Sequence, residues 1–171
     1  MFFAKNILLE RRIGQPIRGF NPEANLSIAF FALFICVALW LSLSPDTHRI
    51  TGLPSGLTQA TAGLFSLASL GIAAVSLKDL GDSWRVGVIE GQETELIERG
   101  VYRFSRNPFF VAYLLLFAAY TILLQSFLLL VLSVIGFGLV HGMILREERY
   151  LAGKHAADYE RYRQRVPRYL G

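Results

Sequence analysis

Residues 107–146 read NPFFVAYLLLFAAYTILLQSFLLLVLSVIGFGLVHGMILR, and their reading decides the fold. Between Arg106 and Arg146 there is no Asp, Glu, Lys or Arg. A helix rises about 1.5 Å per residue, so roughly 20 apolar residues cross the hydrocarbon core of a bilayer. An uncharged run of about 39 residues is therefore too long for one crossing. Gln125-Ser126 divides it, which predicts two helices joined by a tight turn. Pro108 falls at the first helical position, where its missing N–H costs nothing. The first helix of the pair, 109–124, is short for a span, and the second is long enough. A soluble bundle would keep a polar face on each helix, and these have almost none.

Working outward, two more uncharged stretches precede this hairpin. One lies within 25–46, with the core LSIAFFALFICVALWLSLS, and the other is 51–77. Four apolar helices in 171 residues fit the composition, which is 53% hydrophobic and only 18% charged, against about 25% charged in an ordinary soluble domain. The expected fold class is all-α, an integral membrane protein of about four transmembrane helices with interfacial helices beside them. Its parts are an N-terminal interfacial segment (1–24), two spans (25–77) and a region carrying the chemistry (78–171). A single cysteine, Cys36, excludes an internal disulfide and a Cys-rich metal site.

The charge pattern orients the chain. Sixteen of the seventeen basic residues lie in the N-terminal segment, the 78–107 loop and the tail, and only Arg49 lies in the first loop. By the positive-inside rule, both termini and the 78–107 loop are cytoplasmic and the 45–56 loop faces outward. A bacterial inner membrane fits. The net charge of +4 then reads as affinity for a membrane surface, with membrane lipid as partner and no nucleic acid. The apolar run starts too late for a cleaved signal peptide. His48, in the outer loop, reads as a solvated polar residue.

Two segments are richer than connectors. Residues 78–107, KDLGDSWRVGVIEGQETELIERGVYRFSRN, carry four glycines with Trp84, Tyr102 and Phe104 among alternating charges. A loop this long is uncommon unless it has a function, although an amphipathic surface hairpin is a bland alternative. The tail, REERYLAGKHAADYERYRQRVPRYLG, interleaves tyrosines with arginines, and the fourth helix is expected to run through Glu147 and Glu148 into it. Acids at a membrane boundary are costly unless paired or hydrated, and Arg103 and Arg106 are the expected partners. His141 lies seven residues before Glu148, on the same helix face, and is expected to pack against a carbonyl or to act as a functional group. Gly136, Gly138 and Gly142 are expected to admit a neighbouring helix closely.

Taken in order, Gly100-Val101-Tyr102-Arg103-Phe104-Ser105-Arg106-Asn107-Pro108, the apolar hairpin, Glu147-Glu148-x-x-Leu151, Tyr159-x-x-Tyr162 and Val166-Pro167-Arg168 form a pattern. It resembles the isoprenylcysteine carboxyl methyltransferase family and its bacterial relatives, which are similar to phospholipid N-methyltransferases. The upstream stretch Leu80-Gly81-Asp82-Ser83-Trp84-Arg85-Val86-Gly87 resembles the family too. The likeness covers about residues 78–168.

That resemblance implies an integral membrane enzyme that takes its methyl group from S-adenosylmethionine. The acceptor would be lipophilic or lipid-anchored, and the pocket would lie at the cytoplasmic face. By position, the cofactor would touch Glu95, Leu96, Ile97, Tyr102, Asn107, Pro108, Phe109 and Phe110. The family's functional acid falls on Glu147, with Glu148 one position away and Arg106 near both. Where the family has Arg-His-Pro, this chain has Arg106-Asn107-Pro108. Asn107 either caps the third helix or keeps a cofactor contact. Phe110 and Ala112 replace a Tyr and a Gly, and His155-Ala156 replaces Phe-Gly. Met143 stands at the substrate-binding Arg of eukaryotic members, which counts against a prenyl-cysteine carboxylate as substrate.

The inventory agrees with methyl transfer. That reaction asks for alignment and exclusion of water, with no metal and no covalent nucleophile. A cationic sulfonium suits an aromatic such as Tyr102 and an acid such as Glu147. Two other readings stand beside it. One is an NADPH-dependent reductase related to sterol reductases, and the other is a membrane protein that keeps the fold without the activity.

Overall fold

A computed structural model describes residues 22–43, 52–83 and 95–170. The N-terminal segment, the tip of the outer loop with His48, and the Trp84–Gly91 part of the middle loop lie outside the described residues. Four helices follow one another: α1 (Pro22–Leu43), α2 (Ser55–Leu80), α3 (Pro108–Leu124) and α4 (Phe127–Arg165). Short 3-10 turns at Gly81–Ser83 and Gly100–Arg103 lie between α2 and α3. There is no strand among the described residues.

The helices form where the uncharged stretches predict them. Pro108 opens α3 at its first turn, and the helix has 17 residues, short for a crossing. The other three are long and apolar enough to span. In α4 the charged residues begin at Arg146 and continue beyond the spanning part. Gln125 makes the turn between α3 and α4 in the left-handed region (φ 48°, ψ 38°), and Ser126 caps α4 by accepting from the Leu129 amide. Both turn side chains are buried, and Gln125 Nε2 donates to the Leu53 carbonyl 3.3 Å away. The polar pair thus closes the hairpin with its hydrogen bonds met, as burial in an apolar setting demands.

The interior is aromatic. Phe34, Ala38 and Leu41 of α1 meet Phe117 of α3 and Leu129 of α4, with the Phe34 and Phe117 rings 4.6 Å apart. Gly136 lets α4 approach this cluster, since a Cβ there would come 2.6 Å from Phe117 and 2.9 Å from Phe30. Gly138 and Gly142 do not share that role: both face open space on the described chain. Helix α2 packs along α3, where Ser69 Oγ donates to the Ala112 carbonyl at 2.7 Å. Leu64, Leu67 and Leu70 of α2, Trp40 of α1 and Val134 of α4 are more than half exposed, as lipid-facing side chains must be.

Helix α4 is two helical stretches joined at a kink at Ala156 (φ 39°, ψ −110°). An L-residue pays strain in this region of backbone space, and glycine does not. The kink turns residues 157–165 back over the end of the bundle. Val166-Pro167-Arg168 then reaches the start of α3, where the Arg106 amide donates to the Pro167 carbonyl at 2.9 Å.

Candidate functional site

The end of α2, the Gly100–Arg103 turn, the start of α3, the charged part of α4 and the tail converge at one end of the bundle. Each is fixed by a specific bond. Asp79, in the last turn of α2, accepts the Val101 amide on Oδ2 at 2.9 Å. Gly100 holds a positive φ of 61° and has no room for a side chain, because a Cβ there would overlap the Asp79 carboxylate. At the other end of the turn, Tyr162 donates its hydroxyl to the Tyr102 carbonyl at 2.6 Å. Tyr102 is buried beneath the tail, and burial raises its hydroxyl pKa, with the charges of Glu147, Tyr162 and Asp79 adding to the rise.

The two acids at the end of the spanning part of α4 part company. Glu148 is buried and closely bound. Arg168 holds it through Nε to both oxygens (3.1 and 3.2 Å) and through Nη2 at 2.9 Å. Arg106 Nη1 lies 3.2 Å from its Oε1. Asn107 Nδ2 donates to the same oxygen at 3.4 Å and to the Arg168 carbonyl at 3.1 Å. Ser105 Oγ also donates to that carbonyl, and Arg106 Nη1 donates to the Tyr159 hydroxyl. This cluster clasps the tail to the start of α3. Asn107 therefore stands at the N-cap position of α3 without capping it: its side chain is turned to Glu148 and the tail. Arg103 does not join the acids, since its guanidinium lies over the exposed Phe104 ring, 4.6 Å from the centroid.

Glu147, about 100° around the helix, is solvent-accessible. The protein nevertheless crowds it closely enough that this enclosure pushes its pKa up to about 7, with the Glu148 charge adding to the rise. His141 Nδ1 lies 2.8 Å from the Tyr169 hydroxyl, so the tail reaches back along α4 on the face that carries Glu148.

The remaining candidate residues divide. Glu95 and Leu96 line a groove of about 840 Å³ whose other wall is His155, Asp158, Arg161, Gln164 and Arg165 of the tail. Both groove arginines are paired, Arg165 with Glu98 at 2.8 Å and Arg161 with Asp158. Leu96 also packs on the buried Tyr159, Tyr162 and Val166. Ile97 is buried. Pro108 is buried in the first turn of α3, and the rings of Phe109 and Phe110 meet edge to face at 6.4 Å. The structure thus gathers Arg106, Asn107 and Glu148 in the clasp, with Glu95 and Leu96 in the groove and Tyr102 bound to Tyr162 of the tail. Sequence reading missed Asp79 as an anchor, and its signal was faint: an acid just before Leu80-Gly81 at the end of a span. Two buried nitrogens, Arg106 Nε and His155 Nε2, have no hydrogen-bond partner among the described residues. No group of three or more His, Cys, Asp or Glu placed to hold a metal occurs among them either.

A curated relative, the nickel-cobalt-cadmium resistance protein NccN of Alcaligenes xylosoxydans xylosoxydans, is 24% identical over 106 residues. The match covers 61% of this chain and 50% of that protein, so the chain spans about half the length of the relative. The family model described as phospholipid methyltransferase matches residues 57–158, which include all but the first two residues of α2, the Gly100–Arg103 turn, α3, both acids and the Ala156 kink. That match spans more than half of the chain, and the chain belongs to the phospholipid methyltransferase family, which includes isoprenylcysteine carboxyl methyltransferase-like proteins.

Proposed function

We propose that this membrane methyltransferase uses S-adenosylmethionine to methylate a lipophilic or lipid-anchored acceptor at the cytoplasmic face, with both termini on that side. The observation that carries the reading is the convergence of the Gly100–Arg103 turn, the start of α3, both acids of α4 and the tail at one end of the bundle, with the Glu147 carboxyl left exposed there and Tyr102 buried. S-adenosylmethionine, when bound, supplies an electrophilic methyl carbon on a cationic sulfonium. Glu147 and the Tyr102 ring provide the negative charge and the aromatic face that favour a cation. The unpartnered Arg106 Nε–H is a buried donor suited to the cofactor's carboxylate. The groove fits a cationic or neutral ligand better than a phosphate-rich one. Three of its side chains are carboxylates, and both of its guanidiniums are already paired. That favours the methyl donor over NADPH.

The clasp around Glu148 brings the start of α3 and the tail together, so the site is built from parts far apart in sequence. Its work is alignment and exclusion of water, the two demands of an in-line displacement. On the acceptor side, Met143 lies one helical turn before Glu147, and its sulfur accepts the Ser27 hydroxyl of α1 at 2.8 Å. An uncharged pair at this place favours an acceptor without a carboxylate. The three metals in NccN's name stay with that protein, since no ligand cluster among the described residues supports carrying them over.

The test is to incubate the purified protein with methyl-labelled S-adenosylmethionine and a total lipid extract. Label partitioning into the organic phase is the expected result. No label in any lipid fraction, together with stabilisation by NADPH and none by S-adenosylhomocysteine, would overturn the reading.

A further inference from the structure

We infer that Asp79 is a positioning residue: from the end of α2 it holds the Gly100–Arg103 turn, and with it Tyr102, in place against the tail. The inference rests on the methyltransferase reading for its functional half and on geometry alone for its structural half.

Tyr102 sits in a four-residue 3-10 turn, too short to hold its own shape. The turn is bound at both ends. Asp79 Oδ2 takes the Val101 N–H at the front, and the Tyr162 hydroxyl takes the Tyr102 carbonyl at the back. The front bond is charge-assisted, the stronger kind. Gly100 completes it, since only a residue without Cβ leaves the carboxylate space to reach the amide, and its φ of 61° turns that amide toward α2. Asp79 and Gly100 are thus complementary shapes, 21 residues apart in sequence. The end of α2, which carries no chemistry of its own, fixes the turn that holds Tyr102 through this contact.

Two substitutions separate charge from hydrogen bonding. Asp79→Ala removes the acceptor, whereas Asp79→Asn keeps an oxygen for the Val101 amide. Hydrogen exchange of the peptide covering residues 99–104, followed by mass spectrometry on the detergent-purified full chain, reads the turn directly. S-adenosylhomocysteine affinity reads the site. In Asp79→Ala we expect exchange in that peptide about tenfold faster or more, with exchange elsewhere unchanged and affinity reduced about tenfold. Asp79→Asn should restore both to within about threefold of the parent. Exchange in 99–104 that stays at the parental rate in Asp79→Ala would overturn the proposal, as would a uniform rise across all helices. If the parent itself does not bind S-adenosylhomocysteine, the methyl-donor reading fails, and the exchange result alone decides the positioning role. Should Asp79→Ala not fold, the proposal rests on Asp79→Asn combined with Gly100→Ala. The Cβ must then displace the residue 79 side chain, so 99–104 should lose protection while the helices keep theirs. Retained protection would overturn it.

Discussion

Replacing Glu148 by glutamine takes the one negative charge from between two guanidiniums. The Arg106 side chain is only 8% exposed and cannot turn to water, whereas Arg168 is 34% exposed and can. Glutamine keeps one oxygen for one neutral hydrogen bond and puts an amide where two charge-assisted contacts were. Removing one partner of a buried ion pair costs about 3–5 kcal/mol, because the remaining charge is left uncompensated. With Arg168 free to rehydrate, the lower end applies, about 3 kcal/mol. For a chain of this size that is a fall of roughly 6–12 °C in melting midpoint. Glu147→Gln, by contrast, removes an accessible carboxyl with no ion-pair partner among the described residues, whose ionised form the fold disfavours, so at neutral pH it should leave stability unchanged or raise it. The assay is thermal unfolding of the two variants and the parent in the same detergent at neutral pH without ligand. If Glu148→Gln melted with the parent while Glu147→Gln fell, the clasp would be assigned to the wrong acid.

Ala156→Gly should raise stability by about 1 kcal/mol, since the strain of this backbone region is about 1–3 kcal/mol and glycine's extra unfolded-state freedom returns part of it; in an unkinked helix the same change would instead cost about 1 kcal/mol, so thermal unfolding separates the two. Affinity for a cationic methyl donor should rise with pH, by about tenfold per unit at most below about 7 and little above, because Glu147 gains its negative charge there. The fold's own dependence has the opposite sign: a carboxyl whose pKa is raised on folding favours the native state while protonated, so its contribution shrinks as pH climbs from the unfolded value to about 7. Calorimetric titrations at several pH values check the first trend, and a flat profile would remove Glu147 from the site.

The spans were legible because bilayer length and absence of charge leave few alternatives, and Pro108 and Gln125-Ser126 mark the helix ends by local chemistry. The pairing of Arg106 with an acid at the end of α4 was also readable, from charges placed on the same side. Which acid it meets was not, because two adjacent glutamates differ only in helix rotation, and that rotation is set by packing at Gly136, Val140 and Ile144, one face below Glu148. Asn107 misled for a related reason. Its place before Pro108 looks like a cap, but the tail returning over α3 offers its amide a carbonyl and a carboxylate together. Gly138 and Gly142 look like packing glycines by spacing, yet only Gly136 faces a helix. Ala156 stands at a family glycine, a position whose meaning becomes physical once its positive φ is seen.

The most direct measurement is equilibrium binding of S-adenosylmethionine to the parent and to Glu147→Gln at pH 8, on samples shown to be folded. A charge-assisted contact of about 1.5–3 kcal/mol predicts that the parent binds and that the variant binds about 10- to 150-fold more weakly. Equal affinities, or no binding to the parent, would contradict a methyl-donor site built around Glu147 and Tyr102.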